Sequence, residues 1–367
     1  MKLAPLKLGI IGCGWVTEHR HLPALRSLVQ AEVVAAADID AGRLQRVVEQ
    51  WRVPRGYCDF RQLLDDRLVE AVAICLPAPL HAEVAVTALQ AGKHVMIEKP
   101  LALSLDDCDR VVEQVANSSL KAMVGFNMRW HRLVRRAREM VAEGRLGRIA
   151  SIQTRWTSVV RRMRQVPEWR NRRELGGGVL FEIGVHHFDL WRFLLHREVE
   201  EISAFSRSGE WADETAVVTA RLSDGVLAAS VFSDHGGASH DLEICGDAGR
   251  LQIACYRSEG LQFHPAGRSQ GPLGRLQELT STLKEAWRGL PAALRGGDYV
   301  DSYRQQWRHF IHAVQTDTPV ESSVEDGSRA VQVMLAAAQS ASSGRPIPVS
   351  QARTAVAGAT AQHTSGR

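Results

Sequence analysis

No two of the six cysteines, at positions 13, 58, 75, 108, 245 and 255, lie closer than ten residues apart, and no CxxC occurs. That argues against a zinc site or redox pair and leaves no disulfide spacing to read, so no metal is called for. No apolar run approaches the ~18 residues of a membrane span. The N-terminus carries neither the basic region nor the apolar core of a signal peptide, so a reduced, cytoplasmic setting without a membrane partner is expected. The formal net charge is only +4, which is too weak a field to imply nucleic acid. No internal repeat is visible. What remains is a chain of 367 residues, 45% of them hydrophobic, too long for one ordinary core and suggestive of two domains.

The chain is organised around residues 6–38. An apolar run, Leu-Lys-Leu-Gly-Ile-Ile, ends on Gly12 and Gly14 and passes into a helical pattern over 15–28, which Pro23 should kink or restart. A second apolar run closes on Asp38. Strand, glycine turn, helix and parallel strand form the unit that binds a dinucleotide. Gly12 permits the turn, and Gly14 lets the backbone approach a pyrophosphate held by the N–H groups and dipole of the helix start. Asp38 is placed to accept hydrogen bonds from a ribose diol. The third glycine of the usual pattern is replaced by Thr17. That glycine mainly serves close packing of helix on strand, so the helix should shift slightly and the site survive.

Downstream, helical and apolar stretches alternate. Helices are expected over 41–51, with Asp40 as N-cap, and over 60–64, 82–91 and 106–116. Strands are expected over 71–75, 94–97 and 122–126, for five strands in all. The fourth delivers Glu98-Lys99-Pro100 at its carboxyl end, the edge where open parallel sheets bind ligands. The first domain therefore spans 1–126. After a basic helix over 132–143, strand patterns at 149–157, 199–206, 215–222, 226–232, 239–245 and 251–256 argue a mainly antiparallel sheet. Residues 265–275 read as a loop. Helices over 276–287, 300–314 and 326–341 are expected to cover one face of that sheet. The second domain spans 127–350, and 351–367 reads as a loose tail. The fold class is an α/β Rossmann domain followed by an α+β domain with an open sheet.

Gly176-Gly177-Gly178 leads into a helix over 179–195 that is apolar nearly all round and hence buried. Glu182 and His186 nevertheless lie four apart on one face, with Asp189 a turn further on. Buried ionisable groups are costly unless paired, which leaves two readings. One is a structural pair holding the helix against the sheet; the other is an acid/base pair at the domain boundary. His187, turned about 100° away, reads as a core or supporting histidine.

These motifs carry a resemblance. Gly9-Ile-Ile-Gly-Cys-Gly14, then Ala91-Gly-Lys-His-Val-Met-Ile-Glu98-Lys99-Pro100, Trp169-Arg170, and Gly176-Gly-Gly-x-Leu-x-Glu182-x-Gly184-x-His186-x-x-Asp189 resemble the glucose-fructose oxidoreductase, inositol dehydrogenase and MocA family. Asp326-Gly327 and Gly344-Arg345-Pro346 are similar to its C-terminal end. The resemblance spans about residues 5 to 348. It implies a dinucleotide-binding domain, a second domain whose open sheet serves as an oligomer face in a homodimer or homotetramer, and a sugar or cyclitol substrate. It implies cofactor contacts from Gly12, Gly14, Trp15, Val16, Asp38, Arg43, Pro77, His81, Glu98 and Lys99. Substrate contacts are implied for Lys99, Asn127, Trp169, Arg170, Glu182 and His186, with Lys99, His186 and Glu182 catalytic. Two departures stand out: the family's D-x-x-x-H is Glu182-x-x-x-His186, and its Thr-Pro-Asn is Leu76-Pro77-Ala78.

The implied chemistry is oxidation of a secondary alcohol, or the reverse. Lysine, with an ordinary pKa of ~10.4, is a poor base at pH 7. Lys99 is therefore either depressed by burial or stays charged at the developing alkoxide while His186 takes the proton, and the second is preferred. Seven arginines at 155, 161, 162, 164, 170, 172 and 173, against the single acid Glu168, admit an anionic sugar acid or nucleotide sugar, or else a solvated basic loop. Asp38 and Asp40 should favour NAD(H) at least roughly tenfold over NADP(H), although Arg43 admits NADP(H) if Asp38 swings aside. Two other classes stand beside the dehydrogenase: an NAD-dependent glycoside hydrolase working through a transient ketone, and a non-catalytic sugar or nucleotide sensor.

Overall fold

The computed structural model describes residues 4–159, 167–267 and 272–352. β1 (Leu6–Ile11), β2 (Ala31–Ala37), β3 (Arg55–Tyr57), β4 (Ala71–Ile74), β5 (His94–Ile97) and β6 (Ala122–Val124) form a parallel sheet in the order β3-β2-β1-β4-β5-β6. The order reverses between β1 and β4, the point where such sheets open a ligand crevice. Six strands stand where five were expected. β3 is three residues long, centred on a glycine, and has no apolar run to betray it.

Side chains alternate across this sheet with the two-residue period of a strand. Ala35, Val72, Ile74, Val95 and Ile97 face one way, under α3 (Phe60–Asp65), α4 (His81–Gln90) and α5 (Leu105–Ala116). Leu8, Ile10, Ala36, Ala73, Met96 and Met123 face the other, under α1 (Leu22–Arg26) and α2 (Ala41–Trp51). The Asp40 carboxylate accepts the Arg43 N–H at 2.9 Å, so the expected N-cap is in place.

After α6 (Arg132–Ala142) comes an eight-stranded sheet of β7 (Ile149–Thr157), β8 (Val199–Arg207), β9 (Thr215–Leu222), β10 (Leu227–Ser233), β11 (Ser239–Gly246), β12 (Gly249–Ala254), β13 (Leu261–Pro265) and β14 (Ile347–Pro348). All neighbours are antiparallel except β7 and β10. β13 and β14 were not expected: the first ends on a proline, and the second is two residues long. The helices of this half are α7 (Val185–Leu195), α8 (Pro272–Ala293), α9 (Asp298–Thr316) and α10 (Val324–Ser343).

α9 corrects the expected layout. It packs on the parallel sheet, where Tyr303, Trp307, Phe310 and Ile311 join the core of Leu8, Ile10 and Met96. A buried Trp and Phe need a large apolar bed, and the α1/α2 face of the first sheet supplies it. α10 packs on β8 and α7. Arg129, buried between α7 and α10, makes a two-pronged pair with Asp189 at 2.8 and 2.5 Å and a further bond to Asp326 at 2.8 Å. Asp189 is thus a structural carboxylate that fixes α7. The expected tail begins packed, with Gln351 closing a turn and Ala352 buried; 353–367 lie outside the described residues. Among the described residues no helix is long and apolar enough to cross a membrane.

Candidate active site

Gly12 adopts φ +98°, and a Cβ there would collide with the Cys75 carbonyl. Glycine is therefore obligatory at the turn. At Gly14 an added Cβ meets nothing within 4 Å, so the backbone lies open for a pyrophosphate. The departure at Thr17 has a local answer. Its buried hydroxyl donates to the Gly12 carbonyl at 2.6 Å, and the helix opens as a π turn over Thr17–His21 before α1 resumes around Pro23. Trp15 is half exposed at the start of this segment, stacked on His19, with the Arg20 guanidinium 4.8 Å over its ring. Val16 immediately precedes the π turn.

Asp38 immediately follows β2 and faces this turn. Its Oδ2 accepts the Cys13 N–H at 2.8 Å, and Oδ1 accepts the Asp40 N–H at 2.8 Å and Arg43 Nη2–H at 3.3 Å. Two backbone donors hold the carboxylate in place, and Arg43 is already paired with Asp38 and Asp40. These residues fit the adenosine side of a dinucleotide, and Pro77 opens a short turn over Ala78–Leu80 on the neighbouring βα loop.

Two expected cofactor contacts turn inward instead. His81 is buried with Nδ1 2.7 Å from the Pro100 oxygen and Nε2 2.8 Å from the Leu76 oxygen. It ties the loops after β4 and β5, and neither ring nitrogen is left for a ligand. The buried Glu98 carboxylate accepts from His21 Nε2 at 2.9 Å and from the Lys99 N–H at 3.3 Å. Both carboxylate oxygens are thus engaged within the protein, behind Lys99. Motif adjacency located both residues but could not say which way they face.

Lys99 points across the boundary, its ammonium donating to the Glu182 carbonyl at 2.8 Å. Burial lowers its pKa, opposed by Glu98 and Glu182 and assisted by Arg170. The helix expected over 179–195 is present, but its first turn, Leu180–Gly184, is π and α geometry begins at Val185. Such turns gather at functional sites. The Glu182 carboxylate takes two bonds from Arg170, one of them from Nε at 2.8 Å. His186 lies edge-on to Phe126 at 6.0 Å, its Nδ1 buried without a partner. Burial, then the charge of Lys99, pushes its pKa well below 6.5, so it is neutral at pH 7. His187 is fully buried with both ring nitrogens unpartnered, against Phe232 and His240.

Asn127 is buried and donates to Ser302 Oγ at 2.9 Å, joining the end of β6 to α9. Trp169 lies on the turn Glu168–Asn171, with the Arg170 guanidinium 5.9 Å from its ring. The arginine cluster is less bare than its sequence implies. Arg172 meets Glu174 at 2.6 Å, and Arg173 grips Asp213 at 2.8 and 2.5 Å. Arg161, Arg162 and Arg164 lie outside the described residues. Sequence reasoning missed His21 and Trp307, which complete the Glu98 network, because 286 residues separate them.

Comparison with known proteins agrees with the two-domain fold. Residues 6–126 match the model of an oxidoreductase family, NAD-binding Rossmann fold, and residues 138–349 match that family's C-terminal alpha/beta domain. A myo-inositol 2-dehydrogenase of Thermotoga maritima is 27% identical over 355 residues, covering 94% of this chain and 99% of that protein. A dTDP-3,4-didehydro-2,6-dideoxy-alpha-D-glucose 3-reductase of Actinomadura kijaniata is 32% identical over 253 residues, covering 67% of this chain and 74% of its own. The solved structure of levoglucosan dehydrogenase with NADH and L-sorbose shares the fold at TM-score 0.81 and 21% identity, covering 95% of this chain and 99% of that one. The chain, with its NAD-binding Rossmann domain and open-sheet partner, belongs to the glucose-fructose oxidoreductase, inositol dehydrogenase and MocA family of oxidoreductases.

Proposed function

We propose that this enzyme interconverts a secondary alcohol and a ketone on a neutral sugar or cyclitol, using NAD(H). The observation that carries the reading is the Lys99 ammonium anchored on the first turn before α7, close enough to His186 to depress its pKa. Gly12, Gly14 and the N–H groups of the following turn would hold the pyrophosphate, and Asp38 the ribose diol. A nicotinamide held there would supply the hydride acceptor for the carbinol carbon. The hydroxyl proton passes to the imidazole of His186, while Lys99 donates a hydrogen bond to the oxygen as it becomes an alkoxide. Glu182 positions Lys99 through its carbonyl, and its carboxylate holds Arg170. Reduction runs the same transfers backwards.

Arg170, Arg172 and Arg173 each face a carboxylate, which favours a neutral polyol over a hexuronate. Following NADH formation with a cyclitol, a hexuronate and a nucleotide-linked sugar tests this. The cyclitol or another neutral sugar should turn over fastest. Faster turnover of the hexuronate would assign Arg170 to the substrate, and no turnover of any would remove the dehydrogenase reading.

The fixed Asp38 supports NAD(H) over NADP(H), because its carboxylate would repel a 2′-phosphate and Arg43 is already engaged. NADH should bind at least roughly tenfold more tightly than NADPH. Asp38→Ala should narrow the gap mainly by weakening NADH, as read by fluorescence titration. Tighter NADPH binding to the unmodified protein would mean that Arg43 governs the pocket.

The outer face of the second sheet carries Phe205, Val217 and Val231 in cross-strand register, all exposed. A homodimer or homotetramer through this face would cover them, and a monomer by sedimentation at micromolar concentration would overturn it. The six free thiols suit a reducing cytoplasm.

A further inference from the structure

A buried line of hydrogen bonds runs from α9 to the back of Lys99. Trp307, fully buried, donates its indole N–H to His21 Nδ1 at 3.0 Å. An indole nitrogen only donates, so His21 Nδ1 must offer a lone pair, and the ring proton lies on Nε2. That N–H donates to Glu98 Oε1 at 2.9 Å, and Glu98 Oε2 accepts the Lys99 N–H. Resting on the reading of Lys99 as the cation at the reacting oxygen, we propose that Trp307 and His21 are positioning residues that keep Glu98 a net negative charge behind Lys99 and so hold the ammonium in its charged form.

The physical argument concerns what His21 would do alone. Burial disfavours a charge on its ring, but Cys75 and Glu98 outweigh it and draw the pKa from 6.5 up to about 10, so these neighbours by themselves would leave His21 charged at pH 7. A doubly protonated His21 would cancel the Glu98 charge, and Lys99 would face a neutral pair. The indole N–H prevents this, because protonating Nδ1 would set two hydrogens head to head. The other groups bearing on the line are the Cys75 thiol, hydrogen-bonded to the His21 ring, His81 beside Glu98, Tyr303 edge-on to His21 at 5.6 Å, and Glu182, Arg170 and His186 around Lys99. The device joins the halves of the chain: a helix from the second half sets the electrostatics of a lysine in the first.

The test has an arm that needs no turnover. In the full-length protein with NADH bound, 15N NMR of the imidazole should show His21 neutral, with the proton on Nε2, across about pH 5 to 9. A charged ring at pH 7 overturns the proposal. In Trp307→Phe the ring becomes free to take a second proton. The alkaline limb of kcat/KM should then move down by roughly one to three units, the range for unit charges about 4 Å apart between water and a protein-like dielectric, with NADH affinity within about twofold. Adding His21→Gln restores the limb, because the amide donates to Glu98 and never ionises. A limb unmoved in Trp307→Phe, or equally displaced in the double variant, overturns the proposal, since mere packing damage would not be rescued. If Trp307→Phe does not fold, the NMR result on the unmodified protein decides. The reading of Lys99 itself fails separately, if Lys99→Met retains turnover.

Discussion

Replacing His186 with alanine is expected to lower kcat by about 10² to 10⁴-fold, the usual worth of a positioned general base, while NADH affinity stays within about twofold. Lys99→Met should cost at least as much, because it removes the charge at the developing alkoxide. The pH profile separates the two roles. A base must be neutral to act, and burial together with the Lys99 charge pushes the His186 pKa well below 6.5. The acid limb of the oxidation should therefore lie below the ordinary histidine value. Lys99 must be charged to act, and burial lowers its pKa from 10.5, so the alkaline limb should lie below the ordinary lysine value. Steady-state rates between about pH 5 and 10, with fluorescence titration of NADH on each variant, check this. If His186→Ala loses cofactor affinity in step with turnover, His186 is a structural residue. An acid limb at or above 6.5 would assign the proton to another group.

What the chain disclosed in advance follows from how local each signal is. β7 and β9 have the bounds expected from period-two alternation, because one face of each is buried and the other is not. The glycine turn was legible since its chemistry lies within a few residues. β3 and β14 were not, because two or three residues paired at a sheet edge leave no pattern. The site divides in the same way. Lys99, Glu182 and His186 were found by motif, and the structure brings them together. Glu98 and His81 were found too, but their directions depend on His21 and on the Pro100 and Leu76 carbonyls, none of which a motif encodes. The arginine run reads as barer than it is for the opposite reason: composition counts one acid beside it, whereas folding supplies Glu182 and Asp213. α9 was recognised as a helix and assigned to the wrong sheet, since amphipathicity states that a face is buried and not against what.

The fold should lose stability steeply in mild acid, with His187 a principal cause. This ring has no solvent exposure and no partner on either nitrogen, and burial drives its pKa from 6.5 down to about 3. Above the unfolded value of ~6.5 both states are neutral and the group contributes no pH dependence. Below it the unfolded chain takes up a proton that the folded chain refuses, so stability falls as pH drops until the folded value is reached. A shift of this size corresponds to about 5 kcal/mol at saturation, comparable with the ~5 to 15 kcal/mol total of an ordinary domain. His240, His131 and His186 are buried and displaced in the same direction, which steepens the slope. His187→Phe should behave differently. The aromatic contacts with Phe232 and His240 are kept, no hydrogen bond is lost, and nothing remains to protonate. Urea unfolding at about pH 8 should place variant and parent within about 1 kcal/mol of each other. At about pH 4.5 the variant should be the more stable by roughly 2 kcal/mol or more. Equal pH slopes for the two proteins would mean that the folded state accommodates the His187 proton, with water or a rearranged His240 as its partner.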